Sequence, residues 1–212
     1  MESIVAEDGM LFTDFVLVET ARILTNPAYT GGNSGAASAD RGDEADGIAV
    51  EDPTAAHIVA SLGNLNLNNI IDTEDQGYFT IDLGFAQAVN YLFVWERGQN
   101  SRLGLQALDA QNNPIGQFLE LFSGDFASAG FSIDTTEIAG PQPVGSRGIR
   151  VSEFGITDPI TGIRVSAQPH YNGPDFKVVG ASEGVPEPTT MLGLALAGAG
   201  LVYSRRRRLV QP

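Results

Sequence analysis

Short apolar runs alternate with Gly, Asn, Asp and Pro along most of the chain, and the alternation has the period of a β-strand. Phe79, Ile81 and Leu83 are separated by Thr80 and Asp82, the pattern of a half-buried strand ending at Gly84. Residues 89–95, VNYLFVW, form a continuous apolar run, which predicts a strand covered on both faces. Leu103, Leu105 and Ala107 alternate again; the turn AQNNPIG follows, and residues 115–122 complete an antiparallel hairpin. GIRVS occurs twice, at Gly148–Ser152 and Gly162–Ser166. That separation is too short for a repeat architecture and predicts two neighbouring strands with similar inward faces. Asn172-Gly173 marks a turn before a last strand near Phe176–Val179. A helical period is nearly absent. Residues 54–62, TAAHIVASL, come closest, with Ile58 and Leu62 four apart, and predict one short helix or turn. Eight or more short strands with turn signals between them predict an all-β protein, a β-sandwich of jelly-roll type.

The pattern changes at the C-terminus. Residues 185–208 read VPEPTTMLGLALAGAGLVYSRRRR, and Met191–Tyr203 carries no charge. This stretch is apolar all round, unlike a surface helix, so an apolar helix following the sandwich is expected. It is shorter than the roughly 20 residues of a comfortable membrane span. Arg205, Arg206, Arg207 and Arg208 follow at once, and such a cluster stays on the cytoplasmic side, which places residues 1–184 outside. The expected division is therefore an N-terminal segment 1–10, a sandwich 11–181, a linker 182–190, an apolar helix 191–204 and a basic tail 205–212.

Composition sharpens this division. The 212 residues carry 26 acidic and 12 basic side chains, a net charge of −14. Residues 1–184 hold 25 of the acids but only 8 of the bases, a net of −17, while residues 185–212 carry +3. So acidic a body excludes nucleic acid as a partner, because binding phosphates needs Lys and Arg. The absence of Cys excludes disulfides, thiolate-ligated metals and a thiol nucleophile.

Pro186-Glu187-Pro188, the short apolar helix and the terminal Arg cluster together resemble the PEP-CTERM sorting signal of bacterial envelope proteins. The resemblance implies a membrane enzyme, exosortase, as the transient partner that recognises residues 185–208 and removes them. It also implies a precursor held in the inner membrane and a product in the cell envelope or extracellular matrix, associated with exopolysaccharide. Prolines on both sides of Glu187 keep that stretch extended, as suits a processed linker. Export needs an N-terminal signal, yet MESIVAEDGMLFTDF has neither a basic start nor a sustained apolar run, so the expected start lies upstream of Met1. The body, through YFTIDLGFAQAVNYLFVWERGQNS and GPDFKVVG, more weakly resembles galactose-binding-like (discoidin-type) sandwiches.

Candidate chemistry is sparse. The loop 40–52, DRGDEADGIAVED, gathers Asp40, Asp43, Glu44, Asp46, Glu51 and Asp52, hard oxygen ligands of the kind a structural calcium takes. A solvated acidic surface is the alternative, since EF-hand spacing is missing. Trp95, Glu96, Arg97 and Asn100 concentrate an aromatic plane, an ion pair and an amide at a strand end, the groups that match sugar hydroxyls. Trp95 as a core residue is the competing reading. Tyr29 and Tyr171 are weaker candidates of the same kind. Arg41-Gly42-Asp43 spells an adhesion tripeptide, with nothing else in the chain pointing to that partner.

For catalysis the inventory is negative. His57 and His170 are the only imidazoles and lack metal-ligand spacing. Gly32-Asn33-Ser34-Gly35 fails the nucleophile-elbow pattern at residue 36. The expected function is thus a non-enzymatic, exported surface or matrix protein. A carbohydrate-binding module is the first alternative. An extracellular hydrolase, which requires convergent carboxylates in a cleft, is the second.

Overall fold

A computed structural model describes residues 1–6, 8–28, 37–41, 52–133, 140–182 and 185–186. The chain divides into two compact units, Asp14–Glu183 (with Met1) and Glu2–Thr13 with Gly184–Pro212. In the second unit, β1 (Ile4–Val5) pairs with β2 (Met10–Phe12), and β2 pairs with β15 (Val185–Pro186), all antiparallel.

The first unit is a sandwich. Its strands are β3 (Phe15–Val16), β4 (Val18–Thr25), β5 (Ala37–Arg41), β6 (Asn69–Thr73), β7 (Phe79–Val89) and β8 (Tyr91–Arg97). They continue as β9 (Leu103–Leu108), β10 (Pro114–Leu121), β11 (Ala127–Ile133), β12 (Gln142–Arg150), β13 (Ile160–Ala167) and β14 (Asp175–Ala181). One sheet has five strands in the order β10-β9-β13-β7-β4. The other has seven, β11-β12-β8-β14-β6-β5 with β3 on β14. Every pairing is antiparallel, so each strand can present one face to the core and the other outward.

The core lies between the sheets. Phe79, Ile81 and Leu83 of β7, Leu103, Leu105 and Ala107 of β9, and Ile163 and Val165 of β13 come from the smaller sheet. They meet Leu92 and Val94 of β8, Ile149 of β12, and Phe176 and Val178 of β14 from the larger one. Phe79 and Phe176 stack across the gap with centroids 5.9 Å apart.

Several sequence expectations appear directly. The run 89–95 is split at Asn90: β7 continues past Gly84, where its end was expected, to Val89, and Tyr91 begins β8, buried along its whole length; the hairpin around Asn112 joins β9 to β10. The one α-helix among the described residues is α1 (Ala55–Leu62). Thr54 starts it: its Oγ1 accepts from the His57 N–H at 3.4 Å, and its own N–H donates to His57 Nδ1 at 3.3 Å. Asn172 and Gly173 both have positive φ, 63° and 53°, forming the predicted turn. Glycine is required at 173, where a Cβ would collide with the Thr73 carbonyl.

The paired GIRVS segments are corrected. The first ends β12 and enters a short 3-10 turn at Val151–Phe154, closed by Gly155 at φ 74°. The second lies wholly in β13. They belong to different sheets, because the turn carries the chain across the sandwich instead of back along one sheet. The apolar helix expected at 191–204 lies outside the described residues.

Candidate functional site

Strand β8 sits between β12 and β14 in the seven-stranded sheet, and its two faces differ. Leu92 and Val94 enter the core, while Tyr91, Phe93 and Trp95 stand on the opposite face as a ladder with 6.4 Å between successive rings. Trp95 is only 7% exposed, with Lys177 as its register partner on β14. Trp95 is therefore an interior side chain at this strand end. A strand in the middle of a wide sheet has both edges paired, and here both faces are covered as well.

The neighbours of Trp95 are engaged internally. Glu96 is fully buried, and the Ser101 hydroxyl donates to its carboxylate. Burial pushes its carboxyl up to about 7, although the Ser101 bond and the Gln99 N–H oppose the shift. Arg97 reaches Asp175 through Nε at 3.1 Å and Nη2 at 2.8 Å, and Asp72 through Nη2 at 3.2 Å. All three are buried. Burial, and then the Asp72 carboxylate, push the Asp175 carboxyl well above its usual range, against the pull of Arg97. Lys177 Nζ donates to the Ser61 carbonyl at 2.7 Å and to Asn64 Oδ1 at 3.2 Å, and burial lowers its amine to about 7. Asn100 alone of the four candidates is exposed.

Asp72, Asp175 and Lys177 were missed as members of this cluster. The available signal was two charged residues flanking Phe176 in an otherwise apolar strand. Asp72 and Asp175 are also the carboxylates brought together, but around Arg97 in the interior and not in a cleft.

The other candidates scatter. Asp40 and Arg41 lie in β5; Asp43, Glu44, Asp46 and Glu51 lie outside the described residues, and so do Tyr29 and Gly32–Gly35. Among the described residues no group of three or more His, Asp or Glu is placed to hold a metal ion. His57 serves the α1 cap, and His170 packs edge-on against Tyr171 with centroids 4.9 Å apart. Tyr171 is buried, and its hydroxyl donates to Glu120.

A second set of side chains lies on the outward face of the five-stranded sheet. Register aligns Arg22 of β4, Asp82 of β7, Arg164 of β13 and Gln106 of β9 in one row. Arg22 Nη2 reaches Asp82 Oδ2 at 2.6 Å, and Arg164 holds Asp82 through Nε at 2.6 Å and Nη2 at 3.1 Å. Burial alone would raise the Asp82 carboxyl, but these bonds outweigh it and keep it below the usual carboxylate range. The adjacent row is Thr25, Thr80, Ser166 and Gly104. Phe118, 49% exposed, lies against Gly104, where a Cβ would strike both the ring and the Ser166 hydroxyl. Tyr78 and Phe122 are also exposed, and Arg102 stacks over Phe122 at 4.7 Å. Sequence reading passed over this face because its members come from five separate strands.

At the C-terminus, Val185 and Pro186 pair with Leu11 and Met10 in the second unit. Pro186 lies in the edge strand β15, a position that tolerates proline. Glu187, Pro188, Arg205, Arg206, Arg207 and Arg208 lie outside the described residues. Among those described, no helix is long and apolar enough to cross a membrane.

No curated protein matches this chain. Among solved structures, a fucose binding module of Streptococcus pneumoniae, SpX-3, is similar at 11% identity and a TM-score of 0.36, over 75% of this chain and 98% of that one. A Clostridium perfringens protein, CpGH89CBM32-4, is similar at 10% identity and a TM-score of 0.37, over 74% and 99%. Similarity at this level says nothing about what this chain binds. The C-terminal pattern is specific: residues 184–208 match, and carry, the PEP-CTERM protein-sorting motif.

Proposed function

We propose that this chain is an envelope or extracellular-matrix protein, held in the inner membrane by residues 184–208 and released outside by an exosortase, with a sandwich that acts there without catalysis. The carrying observation is the sorting motif itself, with Pro186-Glu187-Pro188, the uncharged stretch Met191–Tyr203 and Arg205–Arg208 in that order. The three parts divide the work physically. The apolar stretch partitions into the bilayer, the arginines hold its end at the cytoplasmic surface, and the prolines on either side of Glu187 disfavour helix there, as suits a processed segment.

The charge distribution supports this orientation. The −17 of residues 1–184 and the +3 of the remainder suit opposite sides of one membrane. The buried Asp72–Arg97–Asp175 cluster is held together by its own ion pairs and reads as structural. That leaves the surfaces of the sandwich as the working part.

The test is processing. The tagged full chain, expressed in a host with an exosortase, matures to a shorter form on Western blots. Replacing Pro186 and Pro188 by Ala, or Arg205–Arg208 by Ala, accumulates the precursor. If both variants mature normally, the sorting assignment is wrong.

A further inference from the structure

We propose that residues 2–13 form a clasp over the start of the sorting segment, so that an exosortase acts on the chain only while the clasp is open. The sorting itself rests on the function proposed above; the clasp is its control. Strand β2 (Met10–Phe12) holds β15 (Val185–Pro186) antiparallel, with Leu11 opposite Val185 and Met10 opposite Pro186. The sorting motif begins at residue 184, so its first strand is already paired within the chain.

The spacing along the chain favours this pairing. β3 and β14 pair Val16 with Gly180 and Phe15 with Ala181. Three residues on each strand, 12–14 and 182–184, then separate that ladder from the next pair, Leu11 and Val185. Equal short spacers that start from paired residues close at little entropic cost. The turn of the β1–β2 hairpin sets the far limit. The Ala6 N–H donates to the Met10 carbonyl and the Gly9 N–H to the Ala6 carbonyl, both at 2.9 Å, while the Asp8 carboxylate accepts from the Met10 N–H at 3.1 Å. Met10 thus spends its polar groups on the β1 side, and alternation directs those of Leu11 to the other side, where its partner is Val185. Gly9, at φ 78°, turns the chain back before Met10, so the ladder stops at Pro186, one residue short of Glu187.

The clasp is weak enough to open. Its strands have two, three and two residues, and of the five in β1 and β2 only Phe12 is buried, while Val5 is 55% exposed. A sheet so short and so little buried opens locally at small cost. A processing enzyme takes its substrate as an extended strand, and Val185–Pro186 cannot enter a cleft while paired to β2. Cleavage of a transiently opened segment runs at a rate set by the open population. A locked clasp therefore slows maturation and a broken one speeds it. Were β2 presenting the segment to the enzyme, both effects would reverse.

Pulse–chase blotting of the tagged full chain, in the host with an exosortase, tests the clasp from both directions. Leu11→Pro removes an N–H of β2 and should mature about threefold faster than the parent or more, with the melting temperature of the sandwich unchanged. In a chain without Cys, Leu11→Cys with Val185→Cys makes a single crosslink between register partners, whose Cα separation of about 5.5 Å lies within disulfide reach. Its oxidised precursor should mature about tenfold more slowly than its reduced form or worse, while Leu11→Cys alone is indifferent to redox state. Hydrogen exchange of the purified full chain in detergent, read by mass spectrometry over residues 182–188, should be about threefold slower at Val185 in the parent than in Leu11→Pro, or slower still. Equal maturation of the oxidised and reduced crosslinked variant, a Leu11→Pro chain no faster than the parent, or equal exchange at Val185 overturns the proposal. A parent that never matures counts against sorting alone, and the exchange comparison then decides the clasp.

Discussion

Glu96 and Lys177 are buried ionisable groups whose proton affinities have been driven toward each other, one up to about 7 and the other down to about 7. Their effects on stability have opposite signs. Between the ordinary glutamate range and pH 7 the folded chain holds a proton on Glu96 that the unfolded chain has lost, so stability falls as pH rises. Between pH 7 and the ordinary lysine range the unfolded chain holds a proton that folded Lys177 lacks, so stability rises with pH. At 1.36 kcal/mol per pKa unit the Glu96 branch is on the order of 3 kcal/mol. Asp175, pushed up mainly by burial, adds to the acidic branch with the same sign. The melting temperature should therefore pass through a minimum near neutral pH. Glu96→Gln should flatten the acidic side and Lys177→Met the alkaline side, read by differential scanning fluorimetry from pH 4.5 to 10. Profiles that coincide with the parent's would sink the account. At this scale the sequence showed which residues were unusual, a lone Trp beside Glu and Arg, but not which way they faced. Alternation along β8 leaves either face open to Trp95 until the strand's neighbours are known.

Strands β6, β8 and β14 are joined by a single side chain. Arg97 on β8 binds both Asp72 on β6 and Asp175 on β14. Removing Arg97 leaves two like charges buried side by side. Arg97→Met should therefore cost about 3–5 kcal/mol, measured by urea denaturation. Neutralising the carboxylates in that background, with Asp72→Asn and Asp175→Asn, should recover part of the loss. A single-variant cost below about 1 kcal/mol would mean the cluster is solvated. Elements were the most legible level: β7, β8, the β9–β10 hairpin, α1 and β14 all follow from local period and turn residues. The two GIRVS segments show the limit. Identical pentapeptides went to different sheets because Gly155 and the 3-10 turn before it redirect the chain, and strand identity says nothing of sheet membership.

Over the whole molecule, charge and sorting make one prediction. Cleavage near Pro186 removes four arginines together with at most one acid, so the released product should be more acidic than the precursor. Isoelectric focusing of the two forms should show the mature band shifted toward lower pH. A mature form at the same or higher pI would place the cleavage elsewhere. The sequence by itself determined the class of the body, the sorting motif and the sign of the charge on each side of it. These depend on local period, composition and order along the chain. The tertiary structure alone decided that Trp95 and Arg97 are interior, that Asp72 and Asp175 meet at Arg97, and that Arg22, Asp82 and Arg164 share one row beside Phe118. Those residues are joined by sheet order and register, and a shift of one residue in register exchanges the two faces of a strand.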